Sequence, residues 1–326
     1  MITNAKLGYY FISRLKKKLR NLVTGGAGFI GSHLIDKIMQ KGEKVISIDN
    51  FCTGNKYNLK RWINDPNFEI INHNITEPIE IDVDKIWHLA CPASPNFYQS
   101  NPIETAKTSF IGTLNMLNLA KAKDAKFLIS STSEIYGNPE IHPQVESYEG
   151  LVNPIGIRSC YDEGKRIAES LCFDYNRMYG TDIRVARIFN TYGPRMNPND
   201  GRVISNFIVQ ALKGQKLTLY GEGIQTRSFC YVDDIVDGLD KLMDTEIIGP
   251  VNLGNPTEKK IIDIAKIIIE KINPDLGMIY KKLPQDDPMR RKPCIKLAQE
   301  KLSWLPKVDI YEGIDRTISY FKSILK

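Results

Sequence analysis

The chain has 326 residues, of which 42% are hydrophobic and 25% are charged, a composition typical of a globular protein. Its length suits one large domain or two modest ones. The net charge of +6 arises in residues 1–20, which hold six of the 44 Lys and Arg residues and no acid. The remaining 38 basic residues are balanced by 38 acidic ones. Nucleic-acid-binding proteins more often carry their basic excess on the folded body, so we expect no nucleic-acid partner.

Residues 1–20 are predicted to form a basic leader. Its apolar run, Leu7 to Ile12, is too short to span a bilayer, and the basic run follows it, the reverse of signal-peptide order. We expect a poorly ordered segment, with weak contact to a membrane or partner surface as the alternative. The six cysteines contain no C-x-x-C pair and do not cluster with the four histidines. This pattern predicts reduced thiols, a cytoplasmic protein and no metal site.

A glycine-rich turn follows the first predicted strand. That strand runs from Asn21 to Thr24, and the sequence Gly25–Gly31 comes directly after it. Apolar residues then recur at helical spacing up to Ile38, and Gly42 suits the end of that helix. Glycines let the backbone approach a pyrophosphate, and a helix N-terminus offers unpaired N–H groups to its charge. The context therefore predicts a dinucleotide site.

The second predicted strand indicates which dinucleotide binds. It runs from Lys44 to Ile48 and leads to Asp49, 18 residues after Gly31. An acid at this position accepts hydrogen bonds from both ribose hydroxyls of NAD and repels the additional phosphate of NADP. NAD is therefore the predicted cofactor.

Strands and helices continue to alternate along the chain. This order predicts a Rossmann-type, doubly wound parallel α/β sheet, with ligands beyond the carboxyl ends of its strands. The further predicted strands are 68–73, 85–90, 126–131 and 182–188, and the long predicted helices are about 102–123 and 160–179.

After Pro194 the segments shorten and glycine and proline become more frequent. We expect a smaller, discontinuous C-terminal substrate-binding domain. The predicted NAD-binding domain comprises residues 21–190 plus about 229–254. The predicted nucleotide-sugar-binding domain comprises about 191–228 plus 255–326.

Tyr161 and Lys165 lie four residues apart at the start of the second long helix, so their side chains share one face. A phenol has an ordinary pKa of about 10, and a nearby ammonium group lowers it. The pair is expected to act as an acid–base catalyst on a sugar hydroxyl. Ordinary neighbours on a helix surface share this spacing, so the interpretation of the pair as catalytic depends on the glycine-rich turn at residues 25–31.

Long runs of sequence resemble a known family. Together they extend from about residue 21 to the C-terminus, and they are TGGAGFIGSHL, HLACPASP, NPIETAKTSFIGTLNMLNLAKA, STSEIYG, VNPIGIRSCYDEGKR, ARIFNTYGPRM, DGRVISNFI, LTLYGEGIQTRSFCYV, PVNLGNP and LPQDDPMRRKP. The chain resembles the extended short-chain dehydrogenases/reductases that act on nucleotide sugars. It is most similar to the UDP-glucuronate decarboxylase (UDP-xylose synthase) family.

The resemblance implies roles for the catalytic residues. Tyr161 is the base, Lys165 is its partner, and Thr132 holds the C4 hydroxyl of the sugar. Glu134, or a water that it orients, helps to return a proton to C5.

Two further positions bear on which reaction is expected. Related 4,6-dehydratases have an Asp at the position of Ser133, whose hydroxyl is a poor acid for expelling water, so dehydration is disfavoured. Arg291 matches the family arginine near the substrate carboxylate. Without the resemblance, Arg291 would be interpreted as a surface charge in a basic run with Arg290 and Lys292.

The resemblance also implies the binding residues. Those expected at the cofactor are Gly25, Gly28, Phe29, Ile30, Gly31, Asp49, Asn50, Asn74, Ile75, Leu89 and Lys165. Those expected at the substrate are Lys107, Asn115, Asn190, Arg195, Asn206, Tyr220, Arg227 and Arg291. Family members often have Asp at the position of Asn74, so cofactor affinity is expected to be lower here.

The implied reaction is decarboxylation of UDP-glucuronate to UDP-xylose and carbon dioxide through a 4-keto sugar, with NAD regenerated in each turnover. The resemblance also implies a homodimer formed through the helices at 102–123 and 161–179. One alternative is a UDP-sugar 4-epimerase that uses Tyr161, Thr132 and NAD. A second alternative is a non-catalytic NAD-binding scaffold, although both Tyr161 and Lys165 are present.

Overall fold

The computed structural model describes residues 18–283 and 290–325. Most of the predicted leader, residues 1–17, therefore lies outside the described residues. The strands are β1 (Arg20–Thr24), β2 (Lys44–Asp49), β3 (Phe68–Asn72), β4 (Lys85–His88), β5 (Lys126–Thr132), β6 (Ile183–Ile188), β7 (Thr191–Tyr192), β8 (Leu217–Tyr220), β9 (Thr226–Ser228), β10 (Cys230–Tyr231), β11 (Val251–Leu253), β12 (Glu258–Lys260), β13 (Met278–Lys281) and β14 (Arg290–Arg291).

The α-helices lie between and after these strands. They are α1 (Phe29–Gln40), α2 (Pro95–Ser100), α3 (Pro102–Lys107), α4 (Thr113–Lys123), α5 (Ser159–Tyr179), α6 (Val203–Leu212), α7 (Val232–Met243), α8 (Ile261–Ile272), α9 (Lys296–Leu302) and α10 (Ile310–Ile324). Among the described helices, none combines the length and the apolar character that a membrane crossing requires.

The centre of the fold is a seven-stranded parallel sheet in the order β3-β2-β1-β4-β5-β6-β11. Leu22 and Val23, neighbours on β1, belong to two different buried clusters. Successive side chains of a strand point to opposite faces, so helices cover this sheet on both sides. The predicted Rossmann-type fold is confirmed.

The predicted helix at 102–123 is continuous but not uniform. Between α3 and α4 the backbone forms one π-helical turn, Thr108–Gly112. This turn lies against α5, where a Cβ atom added at Gly164 would be 2.9 Å from the side chain of Ser109. The glycine therefore permits close contact between the π turn and the helix that carries Tyr161. Single π turns within α-helices frequently mark functional sites.

Three small sheets contain the remaining strands. They are the pair β7–β10, the pair β8–β13 and the three-stranded sheet β12-β9-β14. By contrast, β11 joins the main sheet beside β6, and α7 contacts α1. The chain thus forms the small-sheet strands β7 to β10 first and then rejoins the main sheet at β11.

A buried ion pair connects several of these elements. Arg187 on β6 donates two hydrogen bonds to Glu169 on α5, from Nε to Oε1 at 3.0 Å and from Nη2 to Oε2 at 2.8 Å. Its Nη1 donates to the hydroxyl of Tyr136 at 3.0 Å and to the carbonyl of Glu146 at 2.8 Å. The ion pair therefore joins β6, α5 and the turn that follows β5.

Replacement of Arg187 by Met should lower the free energy of unfolding by about 3–5 kcal/mol, because Glu169 is left buried without its partner. Chemical denaturation measures the change. The matched control is Arg177→Met, since the pair Arg177–Asp174 on α5 has side chains 64% and 51% exposed. The control should lose less than about 1 kcal/mol. Equal losses in the two variants would contradict the assigned role of the buried pair.

Candidate active site

A cavity of about 1380 Å³ opens beyond the carboxyl ends of the main-sheet strands. All of the residues expected at the cofactor line it, from Gly25 to Lys165. Thr132, Glu134 and Tyr161 line the same cavity. One space therefore brings together the glycine turn and the residues expected to be catalytic.

The glycine turn closes tightly at the N-terminus of α1. Gly25 has a φ of +68°, a conformation that favours glycine. A Cβ atom added at Gly31 would lie 2.3 Å from the carbonyl oxygen of Gly25. The N–H of Gly28 donates to that oxygen at 3.1 Å. The turn therefore leaves space and unpaired helix N–H groups for a diphosphate.

Asp49 lies at the end of β2, beside the glycine turn. Its Oδ2 accepts from the N–H of Ala27 at 2.9 Å, and its Oδ1 accepts from the N–H of Phe51 at 2.8 Å. Burial raises the pKa of Asp49, although both of these hydrogen bonds lower it. Each carboxylate oxygen can still accept a ribose hydroxyl, because one N–H occupies only one of its two lone pairs. The residues present fit NAD.

Tyr161 and its expected partners lie deep in the cavity. Tyr161 is 6% exposed, and its hydroxyl lies near enough to that of Thr132 for Thr132 to lower its pKa. Its ring stacks on that of Tyr98, with centroids 5.1 Å apart and an interplanar angle of 6°. Lys165 Nζ donates to the carbonyl oxygen of Ser130 at 2.8 Å. The backbone of β5 thus anchors the ammonium group one helical turn after Tyr161.

The expectation that a nearby ammonium group lowers the pKa of Tyr161 is wrong, because the protein's own groups raise that pKa on balance. The pKa of Tyr161 lies above its ordinary value, chiefly because of burial and secondly because of the nearby Cys91. Thr132 and the positive charge of Arg202 act in the opposite direction but do not outweigh burial.

Glu134 lies at the centre of a buried ionic cluster. Arg158 donates to its Oε2 from Nη2 at 2.5 Å, and Arg291 donates to the same oxygen at 3.1 Å. Burial raises the pKa of Glu134, but the charges of Arg291, Arg158 and Arg227 together bring it below the ordinary value. Glu134 is therefore an ionised carboxylate.

Arg291 is buried, with only 1% of its surface exposed. Besides Glu134, it donates to the carbonyl oxygens of Ser133 and Gly137. This excludes the interpretation of Arg291 as a surface charge. Arg291 lies behind Glu134, outside the described lining of the cavity, whereas Arg158 and Arg227 are part of that lining.

The residues expected at the substrate divide into two groups. Those that line the cavity are Asn190, Arg195, Asn206, Tyr220 and Arg227. Lys107, Asn115 and Arg291 lie outside its described lining. Lys107 pairs with Glu104 at 2.9 Å, and Asn115 donates to the carbonyl of Ile75 at 3.0 Å. Arg195 pairs with Asp36 of α1 at 2.6 Å, which places it beside that helix.

Three residues at the site were not identified from the sequence. Tyr98, Arg158 and Arg202 all line the cavity, near Tyr161 or Glu134. Arg158 stands three residues before Tyr161, one helical turn away, a spacing that could have indicated it. Tyr98 and Arg202 lie on separate segments, and only the fold brings them to the tyrosine.

The fold and the site define a Rossmann-type NAD-binding protein with the tyrosine–lysine pair of the short-chain dehydrogenases/reductases. Residues 21–254 match the model of the NAD dependent epimerase/dehydratase family. The chain belongs to this family, and the prediction of NAD as its cofactor is confirmed.

Individual relatives are also similar over most of the chain. UDP-glucuronic acid decarboxylase 6 of Arabidopsis thaliana is 58% identical over 92% of this chain and 88% of its own. UDP-glucuronic acid decarboxylase 1 of Xenopus tropicalis is 55% identical over 97% and 75%. The Bacillus cereus UDP-glucuronic acid 4-epimerase, solved with UDP-glucuronic acid and NAD, superposes with a TM-score of 0.85 at 27% identity over 94% of this chain and 100% of its own. The resemblance inferred from the sequence is confirmed.

Replacement of Gly31 by Ala should remove most of the NAD that copurifies with the protein, because the added methyl group collides with the Gly25 carbonyl. Extraction and absorbance of the bound dinucleotide measure the occupancy. The control is Gly42→Asn at the other end of α1, where no described atom lies within 4 Å of an added Cβ. Asn tolerates the positive φ of Gly42, so this variant should keep its NAD. Full NAD occupancy in Gly31→Ala would contradict the proposed diphosphate site.

Proposed function

We propose that this protein decarboxylates UDP-glucuronate to UDP-xylose and carbon dioxide, with NAD regenerated in each turnover. The observation that carries the proposal is the Tyr161–Thr132 pair beside the arginine-held carboxylate of Glu134, in the cavity that contains the glycine turn. The two relatives named as UDP-glucuronic acid decarboxylases support the choice of substrate and reaction.

The reaction begins at the C4 hydroxyl, which hydrogen-bonds to Tyr161 and Thr132. Tyr161 takes the hydroxyl proton, while Lys165 holds positive charge on the same helix face. When held by the glycine turn and Asp49, NAD would supply a hydride acceptor for C4 and a source of the same hydride at the end of the turnover. A ketone at C4 places the C6 carboxylate β to a carbonyl group, the arrangement from which carbon dioxide leaves readily.

Loss of carbon dioxide leaves an enolate with negative charge on the C4 oxygen. Tyr161, now protonated, and Thr132 stabilise that oxygen by hydrogen bonds. C5 then needs a proton. Because Arg291 and Arg158 keep Glu134 ionised, we propose that Glu134 orients a water that protonates C5, rather than donating a proton itself.

A UDP-sugar 4-epimerase is the second candidate. The similarity of the fold to the Bacillus cereus UDP-glucuronic acid 4-epimerase favours it, since that enzyme is solved with the same nucleotide sugar and NAD. Both reactions need oxidation at C4. They differ in the fate of the carboxyl group, which an epimerase retains.

We also propose the two-domain division at residues 21–190 plus about 229–254, and about 191–228 plus 255–326. The small sheets β8–β13 and β12-β9-β14 fall within the second domain and support it. A cytoplasmic location is proposed as well, supported by six free cysteines.

A homodimer through the long helices is the proposed assembly. Phe110, Ile167 and Met178 are apolar residues on these helices and are 42%, 42% and 71% exposed. Met116 and Leu117, which lie on the first of these helices, are buried within the chain. The proposed interface therefore depends on the exposed residues.

Incubation with UDP-glucuronate labelled at C6 should release labelled carbon dioxide and form UDP-xylose, with no net NADH. Tyr161→Phe should lower this rate by about 10³-fold, because the acid–base group is lost while the ring still stacks on Tyr98. Tyr175→Phe, at the far end of α5, is the control and should keep the wild-type rate. Retention of the label in a C4-inverted acid would establish the epimerase instead.

Light scattering should give the mass of a dimer. Ile167→Lys combined with Met178→Lys should give a monomer, because two charges would be buried at the interface. The matched control places the same charges elsewhere, at Ile224 and Ile279, which are 54% and 39% exposed. A wild-type mass equal to one chain at all concentrations would overturn the assembly.

A further inference from the structure

The mechanism leaves one buried acid near the catalytic residues without a role. Asp162 follows Tyr161 on α5 and is 7% exposed. Its Oδ2 lies 3.5 Å from Nε of Arg158, and its Oδ1 is buried with no hydrogen-bond partner among the described residues. A buried, half-satisfied carboxylate is costly, so its presence beside a reaction site requires a physical explanation.

Asp162 and Glu134 share one arginine. Arg158 contacts Glu134 through Nη2 at 2.5 Å and faces Asp162 through Nε. Arg291, on β14, contacts the same carboxylate oxygen of Glu134. When both acids are ionised, Asp162 and Glu134 therefore compete for the positive charge of Arg158.

The groups that face Asp162 come from several elements. Arg158 and Cys160 are at the start of α5, Glu134 lies on the turn after β5, Arg291 on β14 and Tyr98 on α2. Burial and the Glu134 carboxylate raise the pKa of Asp162 to about 7, against the opposing effect of Arg158 and Arg291. Asp162 can therefore gain or lose a proton near neutral pH.

Entry of an acidic sugar adds a third carboxylate to this cluster, a step that rests on the proposed function. C6 is bonded to C5, which is bonded to C4. A C4 hydroxyl held by Tyr161 and Thr132 therefore places the sugar carboxylate within a few ångström of the cavity wall that contains Glu134 and Arg158. A new negative charge there favours the protonated form of a neighbouring acid.

We propose that Asp162 takes up one proton when the carboxylate of an acidic nucleotide sugar binds, and thereby releases Arg158 to pair with that carboxylate. The proton comes from solvent or buffer, and it converts the Asp162 carboxylate to a neutral carboxyl group. Asp162 is thus a positioning residue that acts through Arg158. When the sugar carboxyl group leaves as carbon dioxide, the third negative charge is removed and Asp162 returns its proton.

This coupling makes substrate affinity depend on pH in one direction. At low pH Asp162 is already protonated, so its charge does not compete with the sugar carboxylate for Arg158. As pH rises, binding must drive protonation of Asp162, so affinity for the acidic sugar falls. A neutral nucleotide sugar adds no charge at C6 and should bind equally well across the same pH range.

The test is calorimetry on the NAD-saturated Tyr161→Phe protein, in which turnover does not disturb the binding signal. UDP-glucuronate and UDP-glucose are compared in buffers of different ionisation enthalpy, which reports protons taken up on binding. UDP-glucuronate should take up about half a proton near pH 7.5 and bind about tenfold more weakly at about pH 8.5 than at about pH 6.5. UDP-glucose should show neither effect.

Asp162→Asn, added to the same background, should abolish the proton uptake and make the UDP-glucuronate affinity independent of pH. Asp174→Asn, the same change at an exposed site on α5, should leave both unchanged. Equal proton uptake with the two sugars, or none with UDP-glucuronate, would overturn the proposal even if Asp162→Asn cannot be purified. Retained uptake in Asp162→Asn would also overturn it.

Carbon dioxide release by the wild-type protein is measured in parallel. Release without differential proton uptake would refute the role of Asp162 and leave the decarboxylase function intact. Failure of release from UDP-glucuronate would count against the function itself.

Discussion

The carboxylate of Glu134 is held by two arginines that lie far apart in the chain. Arg158 lies directly before the helix that carries Tyr161, 24 residues after Glu134, and Arg291 lies on β14, 157 residues after Glu134. Removing either arginine would leave a buried charge underpaired, which is costly in a protein interior. The cluster therefore joins the main sheet, the catalytic helix and a small-sheet strand at one point. The proposed chemistry depends on this junction, because it needs Glu134 to be ionised and close to the sugar.

Burial dominates the electrical environment of the tyrosine, and the negative charge of Glu134 acts in the same direction. Tyr161 is buried against Tyr98, and burial raises its pKa. Thr132 and Arg202 act in the opposite direction, but the chain alone does not provide a ready phenolate. Proton transfer from the sugar is therefore expected only when both the sugar and the cofactor are bound. A base that is active only in the assembled complex protects against oxidation of molecules that bind incompletely.

Much of this arrangement could be predicted from the sequence, for reasons that are local. The strand, glycine turn and helix from Arg20 to Gln40 follow from residue order, and the spacing of Tyr161 and Lys165 follows from helical periodicity. The burial of Arg291 could not be predicted this way. Its position in a run of basic residues indicates a surface charge, yet tertiary contacts bury it. Asp162 was overlooked for the same reason, since its environment depends on Glu134 and Arg291 from distant segments.

In the proposed reaction the sugar is oxidised and then reduced at C4 without the hydride leaving the site. The most direct test uses UDP-glucuronate that carries deuterium at C4, with NMR or mass analysis of the pentose product. If the hydride returns within the same turnover, every UDP-xylose molecule should keep its deuterium at C4. Hydrogen at C4 of the product, or deuterium in free NADH, would show that the hydride escapes and would contradict the redox-neutral reaction proposed here.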